Sequence, residues 1–392
     1  MVIRVKKYVL LIVLSIVFIL IISKVTTING NSSKDKNEVR AIFVSYIELN
    51  KYVGNSNGDL RKKNIDLMIK NIKDLGFNTI ILQIRSFSDA IYKSNIFPWS
   101  STVSGKEGVD PGFDVLEYFI EQCKANNMYI YGWINPYRVR SSGRDISEVN
   151  PAYKYLGTDY LYEDVGVYYN PSKREIEDLI VDGVLEVVSN YQVDGILFDD
   201  YFYPSYDLDY NDYVNYLKDH DNISFDEYHL MIINRMISRV HEVCFKHNVI
   251  FGVSPDGNIE NNYGVISADV KAWLSSKEYV DFIMPQVYYG FFNETKAFLH
   301  VIEEWDSLIK NDDIKLNVAL AFYKVGVFDK YARSGSNEWI NNSNIIMREI
   351  ILSRNLKYYN GFSLFRYDFL FDDSLYTNTT MLEIENMRKI LN

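Results

Sequence analysis

Two adjacent carboxylates, Asp199 and Asp200, close the apolar run in "VDGILFDDYFYPS", residues 193–205. A carboxyl group can serve as an acid/base group in catalysis. Side chains next to one another on a strand point to opposite faces, so these two are expected to divide. Asp200 is expected over an open site as the acid/base group. Asp199 is expected to accept hydrogen bonds from Arg85, Asn135 or a backbone amide. Tyr201 and Tyr203 follow directly, and tyrosine faces suit a polar ring such as a sugar. A phosphorylated metabolite would instead need Lys/Arg or helix-start glycines.

The elements that must position these groups are legible as eight short runs rich in β-branched and aromatic residues: 41–47, 79–85, 129–135, 195–200, 249–255, 281–289, 316–323 and 361–367. Near-continuous apolarity, in place of strict alternation, marks parallel strands covered on both faces. Helical periodicity fills the gaps. In "NPSKREIEDLIVDGVLEVVSNY", Ser172 and Glu175 have capping-box spacing, and Ile176, Leu179, Ile180, Val184, Val187 and Val188 form one stripe. No GxGxxG follows the first strand, which argues against a doubly wound dinucleotide fold. Eight strand–helix units without a linker predict a (β/α)8 TIM barrel with enlarged βα loops.

Active sites of such barrels lie at the C-terminal strand ends. In chain order those ends carry Glu48; Arg85 and Asp89; Asn135, Tyr137 and Arg138; Asp199 and Asp200; Asp256 and Asn258; Gln286 and Tyr288; Tyr323; and Arg366 with Asp368. Gln83, Arg85, Asn135, Gln286 and Arg366 interrupt apolar runs, where an unpaired polar group is costly. Glu48, Asp89 and Asp368 are candidates for a second carboxylate. Trp99, Trp133, Tyr137, Tyr201, Tyr203, Tyr288 and Tyr289 are candidate stacking platforms.

The chain of 392 residues has a net charge of -11, so no basic surface suits nucleic acid. Arg4, Lys6 and Lys7 precede the uncharged run Tyr8 to Ile22. That pattern predicts a basic cytoplasmic leader (1–7), a transmembrane anchor or signal core (8–23), a linker (24–38) and a barrel (39–392) outside the cytoplasm. With two Cys and five His, and neither CxxC nor HExxH, no metal or other cofactor is expected. "DLDYND", Asp207 to Asp212, opens like a calcium loop, but Asp212 replaces the required Gly and Lys218 the closing acid.

The blocks "LGFNTIILQIRSFSDAIYKSNIFPWS…YIYGWINPYRV", "YYNPSKREIEDLIVDGVLEVVSNYQVDGILFDDYFYP" and "DVKAWLSSKEYVDFIMPQVYY" resemble the bacterial glycosyl-hydrolase-like family ten over about residues 39–370. The resemblance implies a glycoside-hydrolase barrel, exported or envelope-bound, with polysaccharides, including peptidoglycan glycan strands, as substrates. "FDDYFYP" matches the family's fourth-strand motif residue by residue. "GVSPDGN" departs from it, since the family commonly has an aromatic in place of Asp256, and "FSLFRYDFL" matches loosely. The expected function is hydrolysis of O-glycosyl bonds through Asp200 and Asp199. Substrate contacts are expected from Arg85, Asp89, Trp99, Asn135, Tyr137, Arg138, Tyr201, Tyr203, Gln286 and Tyr288. A carbohydrate-binding barrel without turnover is the alternative, because fold does not imply activity.

Overall fold

The computed structural model describes residues 38–142, 145–220 and 222–391. The leader, the apolar run and the linker up to residue 37 lie outside the described residues. Among the described residues no helix is long and apolar enough to cross a membrane.

All eight expected strands form: β1 (Val39–Val44), β2 (Thr79–Arg85), β3 (Tyr129–Ile134), β4 (Gly195–Phe198), β5 (Ile250–Val253), β6 (Phe282–Ile283, resumed at Gln286–Val287), β7 (Lys315–Leu320) and β8 (Tyr359–Leu364). Each pairs in parallel with the next, and β8 closes on β1 with Val39 opposite Gly361. The interruption of β6 falls at Met284 and Pro285, and proline has no N–H to give to a ladder. Between the strands run α1 (Asp59–Asp74), α2 (Val115–Ala125), α3 (Arg174–Asn190), α4 (Phe225–Lys246), α5 (Val270–Trp273), α6 (Phe298–Leu308), α7 (Ile345–Ser353) and α8 (Asn378–Leu391).

The core has two parts. Inside the barrel, Ala41, Phe43, Ile81, Tyr131, Trp133, Leu197, Phe282, Met284 and Ala319 pack together. Gly252 makes room for this filling, since a Cβ there would stand 2.4 Å from the Phe282 ring. The larger part lies between barrel and helices, and the α3 stripe of Ile176, Ile180, Val184, Val187 and Val188 is buried in it. Each such side chain contributes on the order of 1.5–3 kcal/mol by burial.

The expected capping box does not form. Helix α3 starts at Arg174, with Lys173 at the N-cap. Ser172 instead donates its backbone N–H to Asn170 at 3.0 Å and its hydroxyl to Asp212 at 2.8 Å, which also pairs with Lys173 at 2.8 Å. Asp212, on a short helix (Tyr210–Tyr216) in the segment after β4, thus captures the residues that would have capped α3, a tertiary override of a local signal. The loop after β3 is the most elaborate, with a three-stranded antiparallel sheet of Arg138–Arg140, Leu161–Glu163 and Val167–Tyr169. Cys123 on α2 and Cys244 on α4 are buried and free.

Candidate active site at the barrel mouth

Strand β4 leaves the ladder at Phe198, so Asp199 and Asp200 stand just beyond regular strand geometry. Asp199 is 4% exposed, while Asp200 is half-buried. Asp199 Oδ2 accepts from the Trp133 indole N–H at 3.0 Å and from the Asn135 side-chain amide. Its Oδ1 is buried without a hydrogen-bond partner.

The bond from Asn135 to Asp199 ends a chain whose direction is set at the other end. The Tyr46 backbone N–H can only donate, and it donates to Gln83 Oε1 at 2.9 Å. Gln83 must therefore turn Nε2 to Asn135, whose Oδ1 accepts it together with Arg138 Nη2 at 3.1 Å. Asn135 is left with its amide protons facing Asp199. Strands β1 to β4 are thus joined by one buried relay running across their C-terminal ends.

Burial pushes Asp199 above the ordinary carboxylate range, and repulsion from Asp200 pushes it further, against the pull of Arg138 and Trp133. Burial also raises Asp200; hydrogen bonding to Gln286 and a backbone amide lowers it, and the charge of Asp256 raises it. Since burial strips both charges of part of their hydration, the pair retains a proton at a pH where exposed carboxylates have lost theirs.

Around these groups the mouth is aromatic. The Arg138 guanidinium lies 5.2 Å from the Tyr201 ring and 4.7 Å from Phe87, and donates to the Ser86 carbonyl at 3.1 Å. Tyr201 is 47% exposed. Across the mouth, Tyr288 meets Tyr323 edge-on at 5.7 Å and Phe365 at 6.1 Å. Burial holds the Tyr288 hydroxyl well above its usual range and raises Tyr323 to about 12, so both remain neutral hydrogen-bonding groups. Gln286 donates to the Ser254 carbonyl at 3.0 Å, bracing β6 against β5 beside Asp200.

Of the expected substrate-contacting residues, Asn135, Arg138, Tyr201, Gln286 and Tyr288 come together here with Asp199 and Asp200. Arg85 does not. The pairing of β2 with β3 slips between Gln83 and Arg85, so Arg85 lies opposite the outward-facing Ile134. Its guanidinium enters the helix layer, 4.5 Å from the Phe97 ring, and both terminal nitrogens lack hydrogen-bond partners. A bulge inserts one residue and flips the remainder of the strand to the other face. Arg85 is therefore not the partner of Asp199.

Asp89 is buried beneath the β2 loop, accepting from the Phe87 N–H at 3.2 Å and lying near Ser100 and Arg140. Trp99 is half-buried in the same loop, with its backbone bridged to Ala90. Tyr137 is fully buried in the outer core near Glu177 and Arg235. Tyr203 donates to Asp209 at 2.9 Å and stacks on His229 at 4.1 Å, pinning its loop to α4. The other carboxylate candidates are committed: Glu48 pairs with Arg366 and accepts the Ser45 N–H at 2.9 Å, and Asp368 pairs with Lys51 at 3.3 Å. The residues whose roles the sequence did not signal are Tyr46, Phe87 and Phe365, which look like ordinary apolar or turn positions until the barrel closes.

Residues 38–334 match the family described as glycosyl hydrolase-like 10. The chain belongs to that family. The match ends before β8, in keeping with the loose fit of "FSLFRYDFL". Among curated relatives, the chain is 29% identical over 361 residues to glycosyl hydrolase YngK of Bacillus subtilis strain 168, covering 85% of this chain and 68% of that protein. It is 30% identical over 334 residues to glycosyl hydrolase DigH of Escherichia coli strain CFT073, covering 77% and 74%. The fold resembles the PgaB (BpsB) glycoside hydrolase domain of Bordetella bronchiseptica, with a TM-score of 0.59, 11% identity and coverage of 91% and 99%. It also resembles the endo-1,4-beta-mannanase of Rhizomucor miehei, with a TM-score of 0.55, 12% identity and coverage of 92% and 96%. The member described here is thus a glycoside-hydrolase-like (β/α)8 barrel.

Proposed function

We propose that this family member is a glycoside hydrolase acting on a cell-wall or extracellular glycan, with peptidoglycan glycan strands a leading substrate. The observation that carries this reading is the pair of adjacent carboxyl groups at the end of β4, both held above the ordinary carboxylate range, of which Asp199 is buried and Asp200 partly exposed. Asp200 gives its proton to the glycosidic oxygen as the C–O bond breaks, and water finally supplies the OH to the sugar and returns a proton to Asp200. Asp199, held by Trp133 and Asn135, stays in place beneath it. An amino sugar whose own N-acetyl group attacks the anomeric carbon needs only one strong acid from the protein, which suits a mouth where Glu48 and Asp368 are already paired. Tyr201 and Tyr288 stack the sugar rings, while Arg138 and Gln286 orient hydroxyl groups. The basic flank and apolar run of residues 4–22 support an exported or membrane-anchored protein.

The test is reducing-end release from purified peptidoglycan glycans and common polysaccharides by wild type, Asp200→Asn and Asp199→Asn. Wild type is expected to release ends, and Asp200→Asn to lose roughly 10²–10⁴-fold in turnover. Glycan binding without release by wild type would make this a carbohydrate-binding barrel instead. Membrane fractionation of the full chain against one starting after residue 37 checks the anchor.

A further inference from the structure

Gln83 on β2 is fully buried, and its amide joins two groups that cannot trade roles. On one side is the Tyr46 N–H, which can only donate, at 2.9 Å from Gln83 Oε1. The turn that carries Tyr46 is itself anchored, because Glu48 takes the Ser45 N–H at 2.9 Å and pairs with Arg366 beyond β8. On the other side Gln83 Nε2 goes to Asn135 Oδ1, so Asn135, 1% exposed, has only N–H to offer Asp199 Oδ2. The Trp133 indole brings a second pure donor to that oxygen at 3.0 Å. Donors that cannot accept favour the charged form of a carboxyl group and oppose the burial that favours its neutral form. Asp200, Arg138, Tyr201 and Tyr288 are the other charged or titratable groups bearing on Asp199. Arg138 also gives to Asn135 Oδ1, at 3.1 Å, but it is half-buried among the rings of the mouth. Gln83 is the one of these two donors that is shut away from anything entering the mouth.

We propose that Gln83 is a positioning residue: it holds the Asn135 amide so that Asp199 meets only N–H groups and stays an anion behind Asp200, the group left to carry the proton. The inference rests on the glycosidase reading for the use of that proton, while the hydrogen-bond part stands without it.

Two variants of the full chain test it. Gln83→Met fills the space and offers neither donor nor acceptor. Gln83→Glu can replace the amide only while protonated, when one oxygen takes the Tyr46 N–H and the other donates to Asn135. The readouts are turnover against pH and the ¹³C-carboxyl titration of Asp199, its signal assigned by loss in Asp199→Asn. In Gln83→Met the Asp199 midpoint is expected to rise by about half a unit, roughly a threefold gain in proton affinity, and kcat to fall with KM kept. Gln83→Glu is expected to match wild type at low pH and to lose turnover at a lower pH than wild type as its new carboxyl ionises, a recovery that a merely structural role would not show. In wild type the Asn135 side-chain amide protons are expected to shift at the Asp199 midpoint, a measurement that stands even if a variant does not fold. An unmoved midpoint in Gln83→Met, a Gln83→Glu as impaired as Gln83→Met at every pH, or Asn135 protons blind to Asp199 each overturns the inference. A raised midpoint in a chain whose wild type cleaves no glycan sinks the glycosidase reading alone.

Discussion

Asn135 satisfies its neighbours in one orientation only, because Gln83 and Arg138 both bring donors to its oxygen. Asn135→Leu strips a partner from Gln83, from Arg138 and from Asp199, each buried or half-buried. A buried polar group that loses its partner costs about 1–3 kcal/mol. Denaturant unfolding is expected to show a loss of that size, with turnover down at least tenfold and glycan binding largely kept, since Tyr201 and Tyr288 remain. Asp200→Asn is expected to behave oppositely in stability. Its folded-state proton affinity is raised, so the carboxyl contributes most below its unfolded value and loses that contribution as pH rises through the folded one. At neutral pH the amide carries no such penalty, and its melting temperature should equal or exceed wild type while turnover collapses.

At the scale of elements, the fit of α3 on β2 depends on Gly183. A Cβ at that position would stand 2.1 Å from Arg85 Nη1 and 2.7 Å from the Phe97 ring. Gly183→Val is expected to cost on the order of 1–3 kcal/mol, read by denaturant unfolding, because neither the helix nor the ring can yield without disturbing the layer. The converse substitution, Arg85→Met, removes a buried guanidinium whose terminal nitrogens find no partner. Replacing buried charge by an apolar chain of similar length is often neutral or stabilising. Stability should hold or rise and turnover should persist, whereas an Arg85 that touched substrate would bring a large rise in KM. The same layer is locked elsewhere by Glu177 of α3, fully buried but held by Arg235 at 2.6 Å and Arg239 at 2.6 Å from α4.

For the molecule as a whole, the last strand–helix units carry a pH liability unrelated to the mouth. Glu349 on α7 is buried with both carboxyl oxygens unpartnered, and burial, with repulsion from Glu383 and Glu338, holds it well above the usual range. Glu383 on α8 accepts the Ile345 and Met347 N–H groups at 2.8 and 2.9 Å, yet burial still pushes it up to about 7. Unfolded glutamates titrate near 4.3, so Glu383 binds its extra proton in the folded state between that value and about 7, and Glu349 holds its own well above the unfolded value. Global stability is expected to fall as pH rises through 7. Glu349→Gln loses no hydrogen bond and should flatten that fall, stabilising the chain at pH 8 with little effect near pH 4, as thermal melts across pH will show.

The closed barrel was legible because eight apolar runs separated by amphipathic segments leave few ways to bury both faces of every strand, and Asn135, Asp199, Asp200 and Gln286 were legible as polar residues at the ends of those runs. Asn135 was legible also as a partner of Asp199, but Arg85 was expected there equally. Alternation predicts facing only while a strand stays in register, and β2 slips at Arg85 while β4 stops at Phe198. One residue of slip sent Arg85 into the helix layer. Early release left Asp199 held by Trp133 and Asn135 while Asp200 stays partly exposed beside it, the division of the two expected from their adjacency. Tyr137 and Tyr203 likewise lie where α3 and α4 need packing and a hydroxyl needs an acceptor. Local composition determined the elements and the chemistry available at their ends. The register of neighbours, a property of pairs of strands distant in the chain, decided which of those groups share the mouth.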